Sequence, residues 1–168
     1  MNILNRNDIQ SLILKYGYPV LSSKYFQEAY YQPHHLTTTV AEHSINVAVI
    51  SILIWSVLKM FRIKADLGVL ILAALGHDLG MLCRDNFKNE RETCKGHPIE
   101  SVKIMKEIYP ECDEKIISAI QTHMWPLCIY IPKSLEGFIL TLSDKISATA
   151  EFVCNNYHCK NIVLAPVY

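Results

Sequence analysis

The stretch from Ala65 to Gly80, ADLGVLILAALGHDLG, decides how this chain folds. Leu67, Leu70, Ile71 and Ala74 recur at three- and four-residue spacing, which gathers them on one face of an α-helix. The alternation of polar and apolar residues that a half-buried strand requires is absent. A helix is therefore expected from about Ala65 to His77. Its apolar run then meets two polar groups, His77 and Asp78, before Leu79-Gly80 ends it. Neighbouring side chains on a straight helix diverge by about 100°. These two can converge on one point only where the helix stops.

The punctuation outward from this segment is helical too. Thr39-Val40-Ala41-Glu42 has the capping-box pattern and predicts a long helix to about Phe61. Upstream, Asn7 is read as the cap of a helix carrying Ile9, Leu12, Ile13 and Tyr16, with Gly17 as its stop. A second helix is expected from near Pro19 to just before Pro33. Downstream, the polar stretch Gly80 to Gly96 reads as a loop long enough to influence substrate choice. Pro98 suits the first turn of a helix ending at Pro110. Asp113 opens another that reaches His123, with Pro126 halting it, and Ser134 opens the last, through Asp144 to about Val153. The tail from Asn155 to Tyr168 carries no clear pattern. No internal repeat is visible, and the fold class is all-α.

The 168 residues suffice for one domain with a sizeable core, and 51% of them are apolar. Lys and Arg together number 16 and so do Asp and Glu, giving a formal charge of zero. That balance lacks the clustered basic charge that binding to a nucleic-acid duplex requires. The six cysteines form no C-x-x-C pair, and residues 1–10 lack the apolar core of a secretory signal. Reduced thiols and a cytoplasmic location are therefore expected. Val47 to Leu58 is almost wholly apolar but falls short of the roughly 20 residues that a membrane span needs, so it is read as a buried core helix.

Potential metal ligands are spread through these apolar helices. His43 stands one turn before Val47, in line with Ile50 and Ile54. His77 follows Leu70 and Ala73-Ala74, His123 follows Ile116, Ala119 and Ile120, and Asp144 lies between Leu140 and Ala148. His97 joins them. Burying an imidazole or carboxylate is costly unless something compensates it. One shared metal centre compensates all six groups, as in helix bundles that build sites from facing helices. Imidazole and carboxylate without thiolate suit Fe, Mn, Co, Ni or Zn in an open site.

These residues resemble a known family. His43, His77-Asp78 and Asp144 look like the H…HD…D signature of the HD superfamily of metal-dependent phosphohydrolases. Gly96-His97-Pro98, the run from Gln121 to Leu127 (QTHMWPL) and Leu142-Ser143-Asp144-Lys145 extend the likeness to a bacterial HDIG-type subgroup with the pattern H…HD…H…H…D. His35, eight residues before His43, resembles a histidine often seen there. The likeness covers about residues 25–152 of a single HD domain spanning 1–168, leaving the N-terminal helix and C-terminal tail peripheral.

The resemblance implies an HD-domain helical bundle and two divalent transition-metal ions. His43, His77, Asp78 and Asp144 would bind the first, and His97 and His123 the second, with Asp78 bridging and so catalytic. It implies attack of a metal-activated hydroxide on the phosphate ester of a nucleotide or other small molecule. Lys145 and Arg84 are expected catalytic helpers at the phosphate. Lys95, His35 and Trp125 are expected to support the ligands or contact substrate, although packing near the site is the commoner role for Trp125. His34 and His158 read as surface residues. Some phosphodiesterases of the superfamily carry a lysine three residues after the HD aspartate. Met81 stands there, which argues against cleavage of cyclic dinucleotides.

Two other functions share these ligands. A few HD-fold proteins use a mixed-valent di-iron centre to activate oxygen, and the same set would also serve a non-catalytic module that binds metal or nucleotide. Expected partners are a small phosphorylated substrate and a second copy of the chain in a homodimer, with no nucleic-acid duplex and no membrane.

Overall fold

Helix-capping chemistry sets most of the element boundaries. The computed structural model describes residues 4–34 and 38–156. Helix α1 spans Arg6–Leu21 and is opened by Asn5, which exchanges capping hydrogen bonds with Asp8. Helix α2 spans Lys24–Ala29 and is capped by Ser23. Helix α3 runs Val40–Met60 behind the expected box, in which Thr39 and Glu42 cap each other. Helix α4 is Leu67–Gly76, capped by Asp66, and a 3-10 helix, Leu79–Asn86, follows it. Then come α5 (Glu90–Ile108), α6 (Glu114–Thr122) and α7 (Leu135–Asn156). The fold is all-α, as expected. Extended pairing among the described residues is confined to an isolated bridge between Pro33 and Thr39.

Helix α4 is the axis. It packs against α1, α3, α6 and α7, and α5 lies along the 3-10 helix. A helix covered on every side must be apolar all round. Leu67, Val69, Leu70, Ile71, Ala73, Ala74 and Leu75 are accordingly buried. Both α3 and the helical run Leu67–Asn86 are long and apolar enough to cross a membrane; 72% of the apolar window in the second is buried inside the protein, but only 50% of that in α3. The expected burial of Val47 to Leu58 holds for Val47, Ala48, Ser51 and Ile52, whereas Leu53 and Val57 are exposed because the end of α3 extends past its neighbours. Cys83, Cys94, Cys112 and Cys128 are free thiols, as expected.

Four boundaries differ from the sequence reading. The first helix is capped by Asn5, whose side chain accepts the Asp8 N–H, so Asn7 lies inside the first turn rather than capping it. Helix α1 does not stop at Gly17; it continues through Pro19 to Leu21. Gly17 serves close approach instead, because a Cβ there would lie 2.3 Å from Leu75 Cδ1 on α4. The second helix consequently shrinks to six residues. The fourth change is the expected loop from Gly80 to Gly96, which is mostly helical. Asn89 accepts a hydrogen bond from the Glu92 backbone N–H, and acidic Glu90 and Glu92 occupy the first turn, where the helix dipole favours them. Pro98 therefore lies inside α5. A proline there lacks the N–H that would bond the carbonyl of Cys94. That carbonyl instead accepts the Cys128 thiol at 3.6 Å.

Gly80 joins the fold to the site. A Cβ at this position would sit 2.1 Å from the His97 carbonyl oxygen and 2.7 Å from the Ser101 N. Only glycine lets the turn after Asp78 press against α5, where the Gly80 N–H bonds Ser101 Oγ at 2.8 Å. The obstacle is backbone, which cannot rotate away. Gly80→Ala is expected to cost about 1–3 kcal/mol or more, as overpacked cores do. Thermal denaturation should show a midpoint lower by several degrees.

Candidate metal centre

Each helix delivers its polar group through a local device. The capping box sets the first turn of α3, where the His43 N–H bonds the Thr39 carbonyl at 3.0 Å. His77 is the last residue with helical geometry after α4, and Asp78 leaves the helix at φ −108 and ψ 7. This change of direction turns two adjacent side chains toward one point. His77 Nε2 and Asp78 Oδ2 are 3.5 Å apart. His97 comes from the middle of α5, His123 from the residue ending α6, and Asp144 from α7.

Asp78 is the hub. Its Oδ1 lies 3.2 Å from His97 Nε2 and 3.5 Å from His123 Nε2. Its Oδ2 lies 3.0 Å from His34 Nε2 and 3.9 Å from His43 Nε2. Asp144 Oδ1 lies 3.1 Å from His43 Nε2 and 3.9 Å from His77 Nε2. Bonds of about 2.1 Å to one ion place neighbouring donors about 3.0 Å apart and opposite donors about 4.2 Å apart. The observed separations fall within that range. Three groups have donor atoms that all lie within 4.8 Å of one another: His34, His43 and Asp78; His43, His77 and Asp144; and His77, Asp78 and His123.

The far side of each ring confirms its direction. The Nδ1 atoms of His77, His97 and His123 lie 2.8, 2.8 and 2.7 Å from the carbonyl oxygens of Ala74, Thr93 and Ile120. A carbonyl only accepts, so each Nδ1 carries a proton and each ring turns its Nε2 inward. His97 Nε2 and His123 Nε2 are 3.0 Å apart. His77 Nε2 is buried without a hydrogen-bond partner. Donor atoms of His77, Asp78 and His123 lie within 4.8 Å of one another, so the donor set fits a divalent metal.

Electrostatics point the same way. Burial disfavours charge on Asp78, yet His77 and His34 beside it hold its carboxyl well below the usual range. Asp144 is likewise lowered against its burial, by His43, His77, His123 and Lys145. Burial also opposes charge on His43, but the carboxylates of Asp144 and Glu151 push it up to about 10. His77 is fully enclosed and pushed down to about 4, chiefly by burial. The ionised carboxylates thus hold positive charge in the pocket, here the proton on His43, a role that a metal cation would take over.

Glu151 escaped the sequence reading. Its carboxylate oxygens lie 3.0 and 3.1 Å from His43 Nδ1, and Asn46, Ser147 and Thr38 donate to it. This is the carboxylate–histidine arrangement that orients an imidazole ligand. Its only sequence signal was position, two helical turns beyond Asp144 on the same face of α7. Glu151→Gln keeps the shape and removes the charge, and should weaken metal binding by about 10- to 100-fold. Competition with a chelator of known affinity measures this.

His34 is the second omission. Read as a surface residue, it instead has a side chain only 8% exposed and within reach of Asp78. His35 and His158 lie outside the described residues. Lys145 stands at the rim, with Nζ 2.6 Å from Asp144 Oδ2 and 3.4 Å from the His123 carbonyl. Arg84 and Lys95 are exposed, and among the described residues neither makes a hydrogen bond or ion pair with the cluster. Trp125 is half-buried and packs edge-on against Phe138, with ring centroids 6.2 Å apart. Met81 is buried in the core.

A family model described as HD domain matches residues 40–149, more than half of the chain, and the match contains His43, His77, Asp78, His97, His123 and Asp144. His34 and Glu151 fall just outside it. No curated protein and no solved structure matches the chain.

Proposed function

The chain belongs to the HD domain family, a superfamily of metal-dependent phosphohydrolases, and from that premise we propose that it hydrolyses a phosphate ester of a nucleotide or another small molecule. The observation that carries the reading is the convergence of inward-facing Nε2 atoms on two ionised aspartates. Asp78 divides the donors into two sets. His43, His77 and Asp144 would share one ion with its Oδ2, and His97 and His123 would share another with its Oδ1. Bound there, the ions would lower the pKa of water toward neutrality and offset negative charge on the phosphoryl group.

The remaining work falls to the protein. The carbonyls of Ala74, Thr93 and Ile120 fix the tautomer and angle of three rings before any substrate arrives. Glu151 does the same for His43. Lys145, with a side chain 34% exposed beside Asp144, presents an ammonium group at the rim, where an anionic phosphate would meet it. The absence of net charge favours a small ligand held by the centre itself over a polyanion held by a broad surface field.

The test is to strip the protein of metal, reload it with Mn, Fe, Co, Ni or Zn in turn, and offer nucleotides and simple phosphate mono- and diesters with and without oxygen. Metal-dependent phosphate or nucleotide release that is indifferent to oxygen is expected. Turnover that requires oxygen, with a mixed-valent iron signal, would replace this reading with the di-iron oxygenase. Tight nucleotide binding without turnover would replace it with a regulatory module.

A further inference from the structure

We propose that His34 is an additional ligand of this centre, closing its His43 side; the inference rests on the metal reading above. His34 Nε2 lies 3.0 Å from Asp78 Oδ2, the separation of neighbouring donors on one ion. Its ring stacks at a tilt on that of His43, with centroids 4.6 Å apart. Donor atoms of His34, His43 and Asp78 all lie within 4.8 Å of one another. The oxygen that His34 approaches is also the one nearer His43 and His77, not the one facing His97 and His123.

The backbone holds His34 there by the same device that sets His43. The His34 N–H bonds the Thr38 carbonyl at 2.9 Å, and the Val40 N–H bonds the Gln32 carbonyl at 3.0 Å. These bonds flank the bridge between Pro33 and Thr39, so the cap of α3 and the approach of His34 form one unit. Placing His34 therefore needs no rearrangement of α3.

The consequence is an unequal pair of subsites. His34, His43, His77, Asp78 and Asp144 supply donors from five residues on one side, whereas Asp78, His97 and His123 supply three on the other. With His34 added beside His43 and Asp78, an ion on the first side would keep fewer open positions than one on the second. The first ion is then the tightly held one, and the substrate enters on the side of His97 and His123.

The test uses the full chain with His34→Gln and His34→Ala, stripped of metal and titrated with Co(II). Gln preserves a hydrogen bond to Asp78 but is a poor ligand, so it separates ligation from mere support of Asp78. Wild type should bind two ions of unequal affinity. In both variants the tighter site should weaken by about tenfold or more, and its visible absorption should change as the coordination number falls. A His34→Gln protein with both affinities and the spectrum of wild type would overturn the role of His34 and leave the metal centre standing. A wild-type protein that takes up no ion would overturn the metal reading itself. Circular dichroism of each variant verifies folding, and the Gln variant decides the matter if the Ala variant fails to fold.

Discussion

Asp78→Asn is expected to empty the centre and lower turnover by about 10²- to 10⁴-fold. One carboxylate meets five imidazoles, those of His34, His43, His77, His97 and His123, at 3.0 to 3.9 Å. Asparagine has the same shape, so packing is conserved and the loss is electrostatic. Removing one partner from a buried charge network costs about 3–5 kcal/mol. At 1.4 kcal/mol per factor of ten, that is about 10²- to 10⁴-fold in affinity for the ions. The amide also turns N–H groups toward a space that would hold cations. Elemental analysis of the purified variant, alongside turnover on whichever ester the wild type hydrolyses, measures both consequences.

Metal removal should have the second large effect, on stability. The ligands come from α3, the end of α4, α5, the end of α6 and α7, so a bound ion ties distant parts of the chain together. The unfolded chain holds no such site. An ion present at about 100 times its dissociation constant stabilises the fold by about 2.7 kcal/mol. For a chain of this size that corresponds to a shift of roughly 5–11 °C in the thermal midpoint. Calorimetry with and without chelator reads the shift, and Asp78→Asn should show almost none of it.

The features that sequence alone revealed were those with local causes. The capping box of Thr39 and Glu42, the apolar periodicity of α4 and the break at His77-Asp78 all depend on neighbouring residues, and the structure contains each of them. Gly17 was misread because a glycine serves a helix end and a close approach equally well. What decides between them is Leu75, distant in sequence. The segment from Glu90 to Gly96 was misread because a run of charge describes a solvated helix face as well as a loop. Pro98 then drew the helix start to itself.

The site divides along the same line. Six ligand candidates were legible because polar groups within apolar helices stand out. Glu151 was hidden because a glutamate near the end of a helix is ordinarily solvated, and only the fold brings it to His43. Nothing local in the sequence says that His34 turns inward. The contact of His34 with Asp78 depends on the bridge between Pro33 and Thr39, which no periodicity announces.

The most direct test of the account is the number of metal ions per chain, measured by elemental analysis on wild-type protein reloaded with a divalent metal and dialysed free of excess. The buried cluster of histidines and aspartates predicts about two ions per wild-type chain and fewer than one in Asp78→Asn. Less than one ion per wild-type chain, or the same content in both proteins, would contradict it.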